Sequence, residues 1–138
     1  MCVFCQIVAG EIPAHVVLDE ELMLGFLDIK PLFPGHTLLV PKEHHETFLD
    51  LPEGSVEPLF GAARRLVRAV ESATGADGSL MVINNKVSQS VPHLHLHIVP
   101  RKFRDGLRGF LWPRKPYPDG ASAESVAAGI RAALERHG

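Results

Sequence analysis

Short apolar runs separated by turn-forming residues dominate the first forty residues of the chain. Three of these runs predict β-strands, over residues 16–18, 22–27 and 36–40. An acidic turn separates the first two, and a loop with two prolines and a glycine separates the second from the third. Two later runs, over 80–83 and 93–99, predict two further strands.

The apolar positions change to helical spacing in the middle of the chain and near its end. Between Glu57 and about Thr74 they recur every three or four residues, with Arg64, Arg65 and Arg68 on the opposite face. A second helix is predicted from Ser122, as N-cap, to about residue 136. Strands, a helix and more strands, without regular βαβ alternation, predict an α+β fold. We expect an antiparallel five-stranded sheet with one long central helix and a C-terminal helix.

Composition restricts the class of protein. The 138 residues predict a single domain over 1–138, with a core over about 2–101 and a C-terminal loop and helix over 102–138. The net charge of −2 disfavours bulk binding to nucleic acid, and no apolar run approaches the length of a membrane span. No signal-peptide pattern is present, and two cysteines are too few for a disulfide framework. The expectation is a cytoplasmic protein.

Three histidines occupy alternate positions in the last predicted strand, at His93, His95 and His97. Successive side chains of a strand point to opposite faces, so the three imidazoles share one face and the intervening apolar residues can enter the core. Neutral imidazole is a nucleophile whose protonation is easily tuned. The pattern therefore indicates nucleophilic or acid–base chemistry, with a metal-binding histidine tract as the alternative.

The segment around these histidines resembles a known family signature. Residues 89–97, QSVPHLHLH, resemble the motif of the histidine triad (HIT) family. Shorter stretches agree: FCQI at 4–7, GEIP at 10–13, FLDI at 26–29, PGH at 34–36 and VPKEH at 40–44. The match runs from about residue 2 to residue 101. One segment departs from it, because 84–88 is short and contains no glycine where many relatives have a longer, glycine-containing loop.

The resemblance implies a nucleotide-cleaving enzyme. The family binds purine nucleotides and attacks the α-phosphate with a histidine, forming a nucleotidyl-histidine that water hydrolyses. By position His95 is the nucleophile, with His97 and His36 as its partners and Ser90 as donor to the leaving group. Gln89 and Ser90 would contact phosphate, and Asp28 would accept from the ribose hydroxyls. The other implied substrate contacts are an apolar base pocket and one amide: Phe4, Ile7, Ile12, Phe26 and Asn84.

Simpler interpretations of several of these residues stay open. The four apolar residues of the implied base pocket have the character of ordinary core residues. Asp28 precedes a proline-containing loop and is typical of a turn start. His36 follows a proline and a glycine, which also suits an exposed histidine at the end of a strand.

Cys2 and Cys5 form a C-x-x-C pair, whose spacing alone allows a zinc site, a redox pair or no site. A redox pair is disfavoured here because no helix is predicted beside it. Some relatives bind zinc through such a pair and two histidines, which by position would be His44 and His93. The resemblance therefore implies one structural zinc per chain, held by a closed four-ligand shell. His15, His45 and His137 are interpreted as surface residues.

The segment 101–114 is basic and aromatic, and its simplest interpretation is a packed loop with a solvated charged face. The alternative is that Arg104, Arg108 or Arg114 meets substrate phosphates. Family members are usually homodimers whose C-terminal segments reach the neighbouring active site, and Trp112 is the candidate here.

Three classes of function follow. The first is a hydrolase or transferase acting on dinucleoside polyphosphates or nucleoside phosphoramidates. The second is a non-catalytic purine-nucleotide-binding or scaffolding module that uses the same pocket. The third is a metal-handling protein that uses the histidine run itself and would bind several metal ions. Neither the zinc finger of the DNA-repair branch nor the length of a uridylyltransferase is present.

Overall fold

A computed structural model of the chain describes residues 2–107 and 114–137. The chain divides into two compact units, Met1–Asp105 and Gly106–Gly138. The first unit contains the whole of the predicted core. A single domain over the entire chain remains a prediction.

The first unit contains a five-stranded antiparallel sheet, which confirms the predicted fold class. Its strands are β1 (Val16–Asp19), β2 (Met23–Leu27), β3 (Thr37–Pro41), β4 (Gly78–Ile83) and β5 (Leu96–Arg101). They lie in the order β1-β2-β3-β5-β4, and every neighbouring pair is antiparallel. This order inserts β5 between β3 and β4, so the strand that carries the last triad histidine is covered on both edges.

The helices are α1 (Val3–Val8), α2 (Glu53–Thr74) and α3 (Gly120–His137), with a 3-10 turn over Phe48–Asp50. The long helix α2 packs its apolar face on one side of the sheet, as predicted, and its three arginines are exposed. The helix begins at Glu53 rather than Glu57. The helix therefore starts one turn earlier than predicted, and Pro58 lies inside it.

Two predictions about helices are wrong. The short helix α1 was not predicted, since six residues beside a C-x-x-C pair give no helical periodicity to detect. Ser122 is not the N-cap of α3, which starts at Gly120. Its backbone N–H instead donates to Asp119 Oδ1 at 2.7 Å, so Asp119 satisfies the free donor at the helix start. Within its own unit α3 buries none of its residues.

Alternate residues of β2 and β3 face two different cores. Met23 and Leu39 pack with α2, whereas Leu24, Phe26, Leu38 and Val40 pack with Phe4 of α1 on the other face. The period of two along a strand produces this division. Because His97 is paired with Leu38, it lies on the α1 side of the sheet. None of the helices in the described ranges has the length and apolar character that a bilayer crossing requires.

Gly35 should tolerate no side chain. Its φ is 102°, and a Cβ would lie 2.6 Å from Thr74 Cγ2 and 3.3 Å from Pro100 Cγ. We expect Gly35→Ala to lower the free energy of unfolding by about 2–4 kcal/mol, from backbone strain and overpacking together. Gly10, with φ 78° and open space around it, is the matched control, and Gly10→Ala should cost only about 1 kcal/mol. Equal losses in urea denaturation would contradict the steric part of this prediction.

Candidate active site

The triad histidines lie on the approach to β5 rather than wholly within it. The strand was predicted over 93–99 but begins at Leu96. Before that point the main chain pairs elsewhere: Leu94 N–H donates to the carbonyl of His45 at 2.7 Å, and His93 N–H to that of Val91 at 2.8 Å. The predicted division of faces still holds, because Leu94, Leu96 and Ile98 all enter the α2 core.

A cleft of about 280 Å³ opens between α1, β2 and the residues before β5. Eight of the predicted site residues line it: Phe4, Ile7, Ile12, Phe26, Asp28, Ser90, His95 and His97. Sequence reasoning missed other apolar lining residues, among them Val3, Ala14 and Val91. A helix over residues 3–8 would have placed Val3 beside Ile7, one turn apart, had it been predicted.

Phe4 connects the apolar and the histidine sides of the cleft. Its ring meets Phe26 edge-on with centroids 5.5 Å apart, and meets His95 in the same way at 5.0 Å. Phe4 and Phe26 are buried and belong to the α1 core, yet both also line the cleft. The interpretation as core residues and the interpretation as pocket residues are therefore compatible.

His95 has one nitrogen committed and one available. Its Nδ1 lies 2.7 Å from the main-chain carbonyl oxygen of His93. A carbonyl only accepts, so Nδ1 carries the proton of the neutral ring and Nε2 keeps its lone pair. Burial lowers the pKa of His95 below its ordinary 6.5, although the bond to His93 and the charge of Asp28 act in the opposite direction. At neutral pH the ring is therefore neutral, with a nucleophilic Nε2.

His36 and His97 form a hydrogen-bonded pair whose direction the main chain fixes. Leu32 N–H donates to His36 Nδ1 at 3.1 Å, so the proton of the neutral His36 ring sits on Nε2. His36 Nε2 lies 2.9 Å from His97 Nδ1 and donates to it. The proton of His97 is then on its own Nε2. The third histidine is thus a hydrogen-bond donor beside His95, with ring centroids 4.9 Å apart.

Burial keeps this pair neutral. It lowers the pKa of His97 to about 4, with the neighbouring His95 and His36 rings contributing in the same direction. It also lowers the pKa of His36, against the opposing charge of Asp28. Asp28 serves two roles: Oδ1 accepts from Lys30 N–H at 2.8 Å within a turn, and Oδ2 lies 3.7 Å from His36 Nε2. Its side chain also lines the cleft.

Gln89 and Asn84 lie outside the lining of the cleft, in contrast to Ser90. Both ends of the Gln89 amide have partners: Lys86 N–H donates to Oε1 at 2.8 Å, and Nε2 donates to the carbonyl of Glu46 at 2.6 Å. Gln89 therefore holds the loop before Ser90 in place. Lys86 and Ser88 in this loop have positive φ values of 67° and 61°, which non-glycine residues rarely adopt.

A second cluster lies where α1 begins. Cys2, Cys5, His44 and His93 each direct one ligand atom inwards, and all four atoms lie within 4.8 Å of one another. The recorded separations are 3.4 Å for Cys2 Sγ to His93 Nδ1, 3.2 Å for Cys5 Sγ to His44 Nδ1, and 3.2 Å between the two Nδ1 atoms. Zinc bonded to nitrogen at about 2.0 Å and sulfur at about 2.3 Å needs edges of this length.

The protonation pattern of this cluster also suits a cation. His93 Nε2 lies 2.8 Å from the carbonyl oxygen of Pro41, so it carries the ring proton and leaves a lone pair on Nδ1 facing the cluster. Burial raises the pKa of the Cys5 thiol, with Cys2 adding to the effect. A cation bound there would act in the opposite direction, since it selects the thiolate.

Asp28, His36 and His97 also lie close enough together to be considered as a metal site. Their hydrogen bonds do not fit one. A neutral His36 would have to release its Nε2 proton to bind a metal there, and Leu32 N–H already occupies Nδ1. The group is better suited to holding protons than a cation.

Several other predicted residues lie away from the cleft or outside the described part. His15 and His137 are exposed, as predicted, whereas His45 is half-buried and lies 3.7 Å from Glu43. Arg104 is exposed and does not line the cleft. Arg114 belongs to the second unit. Arg108 and Trp112 lie outside the described residues.

The family model of the HIT domain matches residues 9–104. The chain belongs to the HIT family. The structure of a protein from Streptococcus mutans superimposes on 96% of this chain, with 85% of that protein covered, a TM-score of 0.87 and 36% identity. The adenosine 5'-monophosphoramidase of Schizosaccharomyces pombe is 36% identical over 83% of this HIT chain and 85% of its own. A zinc-bound HIT protein from Mycobacterium smegmatis has 37% identity and a TM-score of 0.71, covering 99% and 97% of the two chains.

The buried histidines should make the HIT domain sensitive to acid. In the unfolded chain His97 has its ordinary pKa near 6.5, and in the folded chain about 4. Between these values the unfolded state binds the extra proton, so stability is present above pH 6.5 and is lost as the pH falls towards 4. We expect a loss of about 3 kcal/mol from this ring. Urea denaturation across this range should show a shallower pH dependence in His97→Asn, and equal slopes would refute the assignment.

Proposed function

We propose that this HIT protein is a nucleotide hydrolase or transferase that cleaves at the α-phosphate of purine nucleotide conjugates through a covalent nucleotidyl-His95 intermediate. The observation that carries the proposal is the His95 ring itself. Its Nδ1 is held by the His93 carbonyl at 2.7 Å, which leaves an unprotonated Nε2 in a cleft shared with Asp28, Ser90 and His97. A neutral, oriented imidazole is what nucleophilic attack on phosphorus requires.

The proposed reaction has two displacement steps. In the first, the Nε2 lone pair of His95 forms a bond to the α-phosphorus, and the bond from phosphorus to the leaving group breaks. The leaving amine or oxygen takes a proton, for which the Ser90 hydroxyl is the proposed donor. In the second step water attacks the α-phosphorus, the P–N bond breaks with its electron pair returning to Nε2, and the proton that the water loses restores the Ser90 hydroxyl.

His97 and Asp28 are proposed to act on different parts of the substrate. His97 keeps a proton on Nε2 because His36 donates to its other nitrogen, so it can stabilise the negative charge that develops on the phosphoryl oxygens. Asp28 presents a carboxylate to the same cleft, and a carboxylate can accept from two neighbouring ribose hydroxyls. The apolar side, formed by Phe4, Ile7 and Phe26, suits a flat purine base.

Nucleoside phosphoramidates are the substrates we favour, because the related Schizosaccharomyces pombe protein is named a monophosphoramidase. Dinucleoside polyphosphates are the second candidate. The compact loop over residues 84–90, which is held back against Glu46, leaves the exposed Ser90 hydroxyl on the cleft. Such an arrangement fits a small leaving group that needs one proton.

We expect His95→Ala to abolish turnover while nucleotide binding survives. Wild type and variant would be incubated in parallel with an adenosine phosphoramidate and with diadenosine tetraphosphate, and released AMP measured by chromatography. The wild type should release AMP, faster from the preferred substrate, and the variant should be slower by at least about 10³-fold. An adenylyl group found on His95 by mass spectrometry after rapid quenching would support the covalent step directly.

The exposed His15 provides the control, and His15→Ala should keep wild-type rates. Turnover retained in His95→Ala would refute His95 as nucleophile. Nucleotide bound by the wild type without any product from either substrate would support the alternative function, a non-catalytic nucleotide-binding module.

The proposal includes one structural zinc, which Cys2, Cys5, His44 and His93 would hold. Bound there, zinc would be a four-coordinate cross-link that supplies no open position for substrate. The ligands come from three separate segments: α1, the turn after β3 and the residues before β5. Because His93 also accepts from His95, the site would fix the residue that orients the nucleophile.

Metal analysis of the purified protein should find one zinc per chain. Since His44 is exposed, His44→Ala removes a ligand without opening a cavity, and we expect it to lose most of the zinc. The neighbouring His45→Ala should retain the metal. Chelation should lower the melting temperature of the wild type and of His45→Ala by several degrees and leave that of His44→Ala unchanged.

A number of zinc ions per chain other than one would contradict this site. Two or more zinc ions per chain would favour the metal-handling alternative, whereas none in the wild type would refute the structural site. The expected homodimer, the cytoplasmic location and the lack of nucleic-acid binding remain predictions.

A further inference from the structure

We propose that Cys2 and Cys5 form a redox site, at which a peroxide oxidises the two thiols to a disulfide and thereby releases α1 from His44 and His93. The inference rests on the proposed zinc site, because the same two sulfur atoms would serve both states. It differs from the interpretation of the pair by sequence alone, where the absence of a predicted helix argued against redox chemistry.

The positions of the two cysteines at the start of α1 allow their sulfur atoms to form a disulfide. Cys2 is the N-cap of the helix with an extended backbone, and Cys5 is the third helical residue. Side chains at these two positions meet over the first turn, as in a capping box. Cys2 Sγ accepts from Cys5 N–H at 3.5 Å, so it already lies over the turn that carries the second sulfur. Both side chains are only half-buried, which leaves them open to a small oxidant.

The oxidation balances with one molecule of hydrogen peroxide. One sulfur attacks a peroxide oxygen, the O–O bond breaks, and a sulfenic acid and one water form. The second sulfur then attacks the first, the S–S bond forms and a second water leaves. Two thiols are oxidised by two electrons in total and the peroxide is reduced. A thiol reductant reverses the change through a mixed disulfide.

Disulfide formation removes the contacts that hold α1 to the rest of the unit at this end. Cys2 Sγ lies 3.4 Å from His93 Nδ1, and Cys5 Sγ lies 3.2 Å from His44 Nδ1. Two sulfurs bonded to each other cannot remain thiolate ligands, so a cation held by the four residues would lose half of its shell. What then keeps α1 in place is the packing of Phe4 against Leu24, Phe26 and Leu38.

The helix α1 is also one wall of the cleft, which connects the thiols to the substrate. Val3, Phe4 and Ile7 line the cleft on the face where the base is proposed to bind. The nucleophile is anchored differently. His93 keeps its bond to the Pro41 carbonyl at 2.8 Å and still accepts from His95. Oxidation is therefore expected to weaken nucleotide binding more than it slows the chemical step.

The test uses the full chain loaded with zinc and treated with one equivalent of hydrogen peroxide. A chromogenic chelator reports released zinc, a thiol reagent counts free cysteines, and intact mass reports the loss of two hydrogen atoms. We expect one zinc released for each pair of thiols lost, with full recovery on adding dithiothreitol and zinc. Calorimetry with AMP should show binding weakened 3- to 10-fold in the oxidised protein, while kcat at saturating substrate changes less than 2-fold.

Two single-cysteine variants provide the matched control. Cys2→Ser and Cys5→Ser each keep one thiol, so neither can form the intramolecular disulfide, and their AMP affinity should be unchanged by the same peroxide dose. Zinc-loaded wild type that keeps both thiols under peroxide, or a disulfide that leaves both zinc content and AMP affinity unchanged, would overturn the redox site. A reduced protein that binds no zinc would refute the metal site and this inference together, whereas AMP that fails to bind at all would refute the proposed function without affecting the zinc measurement.

Discussion

The main-chain carbonyl of His93 accepts a hydrogen bond from His95 Nδ1 at 2.7 Å, and this contact decides which nitrogen of His95 can react. Similar main-chain contacts fix which nitrogen carries the proton in two other rings. The Pro41 carbonyl accepts from His93 Nε2, and Leu32 N–H donates to His36 Nδ1. Each neutral imidazole has one proton and one lone pair, so fixing one nitrogen fixes the function of the other. Under the proposed function, one residue type would therefore supply three different groups: a lone pair for phosphorus on His95, a donor for phosphoryl oxygen on His97 and a lone pair for a metal on His93.

Burial makes these assignments hold at neutral pH. A protonated imidazole would be a donor at both nitrogens and would lose the distinction between them. Desolvation lowers the pKa values of His36, His93, His95 and His97 alike, because the first three rings are buried and that of His97 is half-buried. These lowered pKa values reduce the free energy of unfolding as the pH falls, since the unfolded chain can protonate all four rings. The apolar packing of Leu94, Leu96 and Ile98 on the opposite face offsets that cost.

The fold class and the histidine run followed from local pattern, whereas the positions that make the site work did not. The alternation of Leu and His predicted which side chains enter the core. That prediction is correct even for Leu94, which precedes the start of β5. The helix α1 was not predicted because six residues carry too little periodicity, and the packing of Phe4 on the sheet stabilises it. The main-chain contacts of Leu32, Pro41 and His45 could not be predicted for a different reason. Every residue has a main-chain carbonyl and nearly every residue an N–H, so the residue type does not indicate which of them will form a contact.

The loop over residues 84–90 shows how the two sites share one support. Lys86 and Ser88 occupy left-handed backbone conformations at a cost of about 1 kcal/mol each. Three hydrogen bonds offset that cost at about 1 kcal/mol each: the two made by the Gln89 amide, and Phe48 N–H to Asn85 Oδ1 at 2.9 Å. Two of the three end on residues 46–48, two to four positions after His44. The segment that follows the proposed zinc ligand His44 therefore also positions the approach to Ser90.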